Sequence, residues 1–250
     1  MRKIYVILCL LLAGCAATNK NSATLQKLLI NTGNTSELIF AYKEHLSQHP
    51  DDHQVIYQLV KVYMEVDDYE SASFYMNALL RKNNVKITEE YLLTTGKIYL
   101  QLDDLKFAKA YVLRAYRMNN TNRDTLNMLG IIGAMEGQYG VARQRFEAAR
   151  LAMADDVKIK NNLAIVDILE KKYDKAYERL IPLVNKKEVS PQVKVTMAIA
   201  LAKLERRNLF DQLMKGEKPS QIDELYVHLS NAEFKYIKDI THYTSNEEVW

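Results

Sequence analysis

The sequence predicts an all-α array of about five to six antiparallel helix pairs, and three observations carry that prediction. Composition comes first: 48% of the residues are hydrophobic, while 250 positions hold only four prolines and eight glycines. Such a chain can bury a large core and is poor in the punctuation of strands and tight turns. Second, an aromatic or leucine, then two residues, then alanine recurs as Tyr69-Glu70-Ser71-Ala72, Leu105-Lys106-Phe107-Ala108, Tyr139-Gly140-Val141-Ala142 and Tyr173-Asp174-Lys175-Ala176, with the alanines 36, 34 and 34 positions apart. Third, twelve positions before each alanine stands a small or medium residue, Val60, Gly96, Gly130 and Ala164, preceded by Leu59, Thr95, Leu129 and Leu163. A glycine inside a helix costs about 1 kcal/mol relative to alanine. Gly96 and Gly130 therefore need a packing reason, and close approach of two helices supplies it.

A 34-residue period with small residues at two fixed places resembles the tetratricopeptide repeat, a helix-turn-helix unit that stacks into a solenoid. The best match runs from Arg123 to Asp156, with Leu126, Leu129, Gly130, Ala142, Phe146 and Ala149 in consensus places. It departs at Gly133, where an aromatic is usual. Tyr63 and Tyr99 hold that place in the two preceding units, and Asp167 holds it in the next. The units fall near 53–88, 89–122, 123–156 and 157–190. Upstream, Ser36 to Gln48, closed by Pro50-Asp51-Asp52, reads as the second helix of a unit near 22–52 whose first helix, Ser22 to Thr32, is half-preserved. Downstream, Pro191 to Arg206 reads as the first helix of a degenerate unit over 191–240, because Ala198 follows Ala164 by 34. Its partner near Leu209 to Met214 lacks the alanine, and Ile222, Leu225, Tyr226, Leu229 and Phe234 form an amphipathic stretch suited to a cap. Arrays need caps because each repeat buries its face only against neighbours. Residues 241–250 form a polar tail.

The start of the chain has a different character. Met1-Arg2-Lys3 precedes ten almost wholly apolar residues, Ile4 to Ala13, the pattern of an export signal. Ten helical residues span roughly 15 Å, about half of a ~30 Å hydrocarbon core, too short to cross it. The signal ends in Leu12-Ala13-Gly14-Cys15, which resembles the lipobox of bacterial lipoproteins. That resemblance implies removal of residues 1–14, a covalent lipid on Cys15 as the one non-protein group, and a short linker over 15–21. Each buried CH₂ contributes about 0.8 kcal/mol, and two or three chains hold a protein essentially permanently. Ala16 stands where an aspartate would favour retention at the inner membrane, so the resemblance implies the inner, periplasmic face of the outer membrane. Cys9 leaves with the signal, so Cys15 is the sole mature cysteine and a disulfide framework is excluded. Loss of Arg2 and Lys3 takes the formal charge from +3 to +1. No strong attraction for nucleic acid follows from that balance.

Leu180-Ile181-Pro182-Leu183-Val184, then Val189-Ser190-Pro191-Gln192-Val193-Lys194, then Met197-Ala198-Ile199-Ala200-Leu201-Ala202, resembles the corresponding region of TadD-type lipoproteins of the tight-adherence (Flp) pilus system. Val195-Thr196 replaces the asparagine usual at the start of the last helix. The resemblance implies a pilotin-like scaffold that helps assemble the pilus machine, with pilus assembly proteins, a secretin among them, as partners. Pilotins of the type IVa pilus (PilF/PilW-like) share the architecture and give a second reading. A tetratricopeptide adaptor for cell-wall enzymes gives a third.

Of candidate sites, His45, His49 and His53 recur every four residues around Asp51 and Asp52, a spacing that can share zinc on one helix. Pro50 breaks that helix, so a solvated helix end is the expectation and no metal is assigned. Nucleophile elbow, P-loop, dinucleotide and HExxH motifs are absent, so an enzyme with a small-molecule substrate is not expected. Asp103-Asp104 and Asp155-Asp156 fall at turns, where carboxylates cap helices. The family register places a partner-binding groove on the first helices. It would be lined by Tyr57, Lys61 and Met64, then Leu93, Lys97 and Leu100, then Asn127, Ile131 and Ala134, then Asn161, Ile165 and Ile168. Such a lining suits an amphipathic helix or an extended peptide with hydrophobic anchors.

Overall fold

The computed structural model describes residues 34–185, 189–235 and 240. Cys15, the export signal, the Ser22–Thr32 segment and the 241–250 tail lie outside the described residues. Among the described residues there are twelve helices and no strand. They are α1 (Thr35–Gln48), α2 (His53–Glu65), α3 (Tyr69–Leu80), α4 (Glu89–Gln101), α5 (Leu105–Met118), α6 (Arg123–Met135), α7 (Tyr139–Leu151), α8 (Asp156–Leu169), α9 (Tyr173–Val184), α10 (Pro191–Lys203), α11 (Arg207–Leu213) and α12 (Pro219–Asn231). The chain divides between Ala108 and Lys109, inside α5, into two compact units.

Side-chain oxygens start most of these helices. Asn34, Asp52, Asp68, Thr88, Asn122, Asp155 and Ser190 each accept a backbone N–H two or three residues ahead, satisfying donors that a helix start leaves orphaned. Asp104 does the same for α5, accepting from Phe107 at 3.1 Å.

The repeat period is also written in the backbone. Asp67, Asp103, Gly137, Lys171 and Glu205 all have φ between 56° and 73°. They stand 36, 34, 34 and 34 positions apart, each five residues before a repeat alanine or its equivalent. Each closes a Schellman turn, in which the next residue's N–H bonds back to a carbonyl three places inside the helix. Those bonds run from Asp68 to Tyr63 (2.9 Å), Asp104 to Tyr99 (2.8 Å), Gln138 to Gly133 (2.8 Å), Lys172 to Asp167 (2.8 Å) and Arg206 to Leu201 (3.0 Å).

In the first unit the core gathers Leu38, Tyr42, Leu59, Val60, Tyr63, Ala72, Met76, Leu79 and Ile98. In the second, Leu126, Ala142, Phe146, Ala149, Ile159, Leu163 and Val166 form one cluster. A larger one joins Ala164, Ala176, Leu180, Ala198, Phe210 and Leu229. A Cβ on Gly130 would lie 2.5 Å from the Phe146 ring, which is the packing reason that glycine required. A Cβ on Gly133 would lie 3.3 Å from the backbone nitrogen of Ala142, so α6 and α7 leave no room for the usual aromatic. In the degenerate unit Phe210 occupies the alanine's register, 34 after Ala176, and is fully buried. The missing alanine is thus replaced by a core phenylalanine on the seven-residue α11. Tyr226 of α12 meets Phe210 edge-on at 5.1 Å, and Leu229 joins the same cluster. Phe234 is buried too, but beyond the end of α12, because Ala232 turns the chain into extended backbone.

Candidate functional site

In the first unit, the register residues of α2 and α4 build a floor and a rim. Tyr57 and Leu93 are buried, Met64, Lys61 and Leu100 half-buried, and Lys97 exposed. The Tyr57 hydroxyl donates to Glu90 Oε1 at 2.9 Å and shares a 2.8 Å hydrogen bond with Thr94 Oγ1. Burial above all, aided by the Glu90 carboxylate and opposed by the Thr94 hydrogen bond, pushes the Tyr57 hydroxyl up to about 12. It stays protonated at physiological pH and serves as a neutral strut. Tyr91 stands 4.7 Å from the Tyr57 ring, and Lys61 Nζ sits 5.1 Å over that ring. Lys61 thus tops an aromatic floor, Lys97 stands exposed at the equivalent place one repeat on, and Met64 and Leu100 are half-buried on the same two helices. Glu90, Tyr91 and Thr94 are parts of this site that the register did not name. Their signal was their own one-turn spacing around Leu93, which places them beside Tyr57 once α2 and α4 pack.

In the second unit the corresponding residues lie deeper. Asn127 and Ile131 are half-buried and Ala134 is buried. Asn161 is 7% exposed, Ile165 is nearly buried, and Ile168 is wholly within the core. Asn162 Nδ2 donates to Asn127 Oδ1 at 2.9 Å, tying α8 to α6. Asn161 Oδ1 is buried without a hydrogen-bond partner. The open part of this face is therefore Asn127, Ile131 and Asn162, and the isoleucines of α8 belong to its foundation. A buried oxygen left unpaired costs about 1–3 kcal/mol.

The same unit holds a charged core group. Asp167 is fully buried, with Arg143 Nη2 2.7 Å from Oδ1 and Arg179 Nε donating to Oδ2 at 3.0 Å. Arg143 also pairs with Glu170, and Lys172 Nζ reaches Glu170 at 2.9 Å. Hydrogen bonds from Arg143 and Lys172 outweigh partial burial and hold the Glu170 carboxyl below its ordinary range.

The histidines are arranged for structure. His45 Nε2 is 2.9 Å from Asp52 Oδ2, the His45 and His49 rings stack at 4.7 Å, and His53 opens α2. Among the described residues no three His, Cys, Asp or Glu side chains are placed to hold a metal ion. Nor is any described helix long and apolar enough to cross a membrane.

No protein-family model matches this chain, and no curated protein does. Solved structures do match. A tetratricopeptide repeat protein from Parabacteroides merdae ATCC 43184 superposes with a TM-score of 0.70 at 18% identity, over 88% of this chain and 87% of that one. The C-terminal part of a TPR repeat-containing protein from Cytophaga hutchinsonii gives 0.59 at 16% identity, over 90% and 97%. YrrB, described as a TPR protein with an unusual peptide-binding site, gives 0.52 at 19% identity, over 64% and 81%. The fold is that of tetratricopeptide-repeat proteins.

Proposed function

We propose that this chain is a lipid-anchored, non-enzymatic tetratricopeptide scaffold that holds segments of partner proteins on its first-helix faces. The observation that carries this reading is the face of α2 and α4. Its polar tyrosine is internally satisfied, while Lys97, and in part Lys61, Met64 and Leu100, stay accessible as cationic and apolar contacts. Charged groups over a firm apolar floor suit a peptide segment that brings hydrophobic anchors and acidic flanks. That YrrB is a repeat protein with a peptide-binding site supports the same use of the fold.

The finer reading is a pilotin-like role in tight-adherence pilus assembly at the periplasmic face of the outer membrane, with assembly proteins such as a secretin as partners. It rests on the lipobox at Cys15 and on the Leu180–Ala202 sequence pattern. Cys15→Ser should abolish lipid attachment, read by intact mass, and reduce surface pili, while the soluble chain keeps its helical circular dichroism. Normal piliation and normal secretin assembly in a complete deletion would contradict the pilus role. Peptidoglycan enzymes recovered on the first-helix face in place of pilus components would replace it with the cell-wall adaptor.

A further inference from the structure

On the opposite side of the first unit, two phenylalanines face solvent. Phe40 of α1 is 70% exposed and Phe74 of α3 is 68% exposed. They are one repeat apart: Leu38 and Tyr42 are buried in α1 where Ala72 and Met76 are buried in α3, each 34 positions on. At 100° per residue, a position midway between two buried residues four apart points directly away from the core. Both rings therefore crown the outer ridges of their helices. At the same register later in the chain stand Ala110, Gln144 and Glu178, all exposed. At this register the aromatics are confined to the two repeats nearest Cys15 and give way to alanine, glutamine and glutamate, although Phe107 of α5, three places before Ala110, is also 48% exposed.

We propose that Phe40 and Phe74 insert into the lipid surface to which Cys15 anchors the chain, so that the second-helix side of the first unit lies on the bilayer and its first-helix face is left open for partners. This inference rests on the lipid-anchor reading above. The anchor and Asn34, the start of the described chain, are nineteen residues apart. Even fully extended these span no more than roughly 65 Å, so the first unit never leaves the neighbourhood of the membrane. Size argues for lipid over a protein occupant. Two phenylalanines at this exposure offer roughly 300 Å² of apolar surface. A stable protein interface needs about 800 Å² per partner. A tether removes that requirement, because the surface is permanently within reach. The charges around the rings are mixed: Glu37, Lys43 and Glu44 on α1, and Glu70 and Arg81 beside α3, are all exposed. Contact should therefore depend little on anionic lipid or on salt, unlike that of a polybasic patch.

The test uses the lipidated full-length mature protein on vesicles of phosphatidylethanolamine and phosphatidylglycerol. In a Trp250→Phe background, Phe40→Trp, Phe74→Trp and, as a control on the first-helix face of the same unit, Lys97→Trp each place one reporter; Lys97 is also exposed. The expected result is blue-shifted emission and quenching by brominated lipid for the first two and neither for the third. As a second readout, Phe40→Ala with Phe74→Ala should lower vesicle partitioning of the non-lipidated Cys15→Ser chain by about tenfold or more, at any ratio of the two lipids. Emission from Phe40→Trp and Phe74→Trp indistinguishable from Lys97→Trp overturns the proposal. So does a concentration-dependent dimer that the paired alanines abolish, since a second copy would then cover the rings. A mature chain whose mass shows no lipid on Cys15 defeats the anchor reading instead, and it is recognised before any vesicle is added.

Discussion

The helix pairs α6–α7 and α8–α9 occupy successive repeats and solve the same packing problem in opposite ways. In the first, Gly130 and Gly133 remove side chains so that Phe146 and the Ala142 backbone can approach. In the second, the same two places hold Ala164 and Asp167, whose buried carboxylate is ion-paired with Arg143 and hydrogen-bonded by Arg179. The backbone does not register the difference. The carbonyls of Gly133 and Asp167 both accept the closing bond of a Schellman turn, at 2.8 Å in each case. The repeat is thus defined by backbone closure and one small residue on the second helix, and the place opposite is free to hold an aromatic, a glycine against which the second helix closes, or a charge.

That contrast can be broken from the charged side first. Replacing Arg143 and Arg179 together by Met leaves Asp167 without either guanidinium in a fully buried place. The expected loss is about 3–5 kcal/mol in urea unfolding. Adding Asp167→Leu to that pair should restore most of the stability, because an apolar replacement of the whole ion group is often neutral or better. Failure of the triple variant to recover would mean that the charges do more than fill space.

From the glycine side the effect is smaller. Gly130→Ala drives a Cβ into the Phe146 ring and should cost about 1–3 kcal/mol, and Phe146→Leu in the same chain should relieve part of it. Hydrogen exchange should localise the damage to α6, α7 and their immediate neighbours, as expected of repeats that contact only the next repeat.

Smallest and of opposite sign are the turns. Gly137 holds its left-handed conformation without strain, whereas Lys171 and Glu205 hold φ of 60° and 56° with full side chains. Lys171→Gly and Glu205→Gly should each raise the unfolding midpoint, by the equivalent of up to about 1 kcal/mol of stability. A midpoint lowered by both would show that their side chains, rather than their backbones, secure the turns.

Acid gives a further handle on the first unit. Despite partial burial, the N–H of Val55 and the imidazole of His45 hold the Asp52 carboxyl below its ordinary value. A depressed carboxyl contributes stability that is present above its unfolded value and is lost as pH falls through the folded one. The α1–α2 junction should accordingly loosen below about pH 4, and Asp52→Asn should flatten that dependence in pH-resolved hydrogen exchange.

The all-helical repeat was readable because Ala72, Ala108, Ala142 and Ala176 keep their spacing, and close packing tolerates nothing larger there. The left-handed turns were not readable, because Asp67, Lys171 and Glu205 carry no glycine to mark them. Phe210 was hidden for a related reason: a search for alanine passes over a residue that fills the same space from a shorter helix. The site was legible as a register and not as a surface. Spacing put Tyr57 and Ile168 on one side of their helices, but depth depends on what packs above them. Ile168 proves to be core, while Tyr57 is fixed by Glu90 and Thr94 from the neighbouring helix. The outward pair Phe40 and Phe74 follows from the repeat offset alone, yet its exposure is evident only once the helices are packed.

Site-specific photo-crosslinking in native membranes, with a reporter at Lys97 in one lipidated chain and at Phe74 in another, tests which face meets protein and which meets lipid. The expected adducts are with a pilus assembly protein from Lys97 and with phospholipid from Phe74. Lipid adducts from Lys97, or protein partners captured at Phe74 and none at Lys97, would contradict that division of faces.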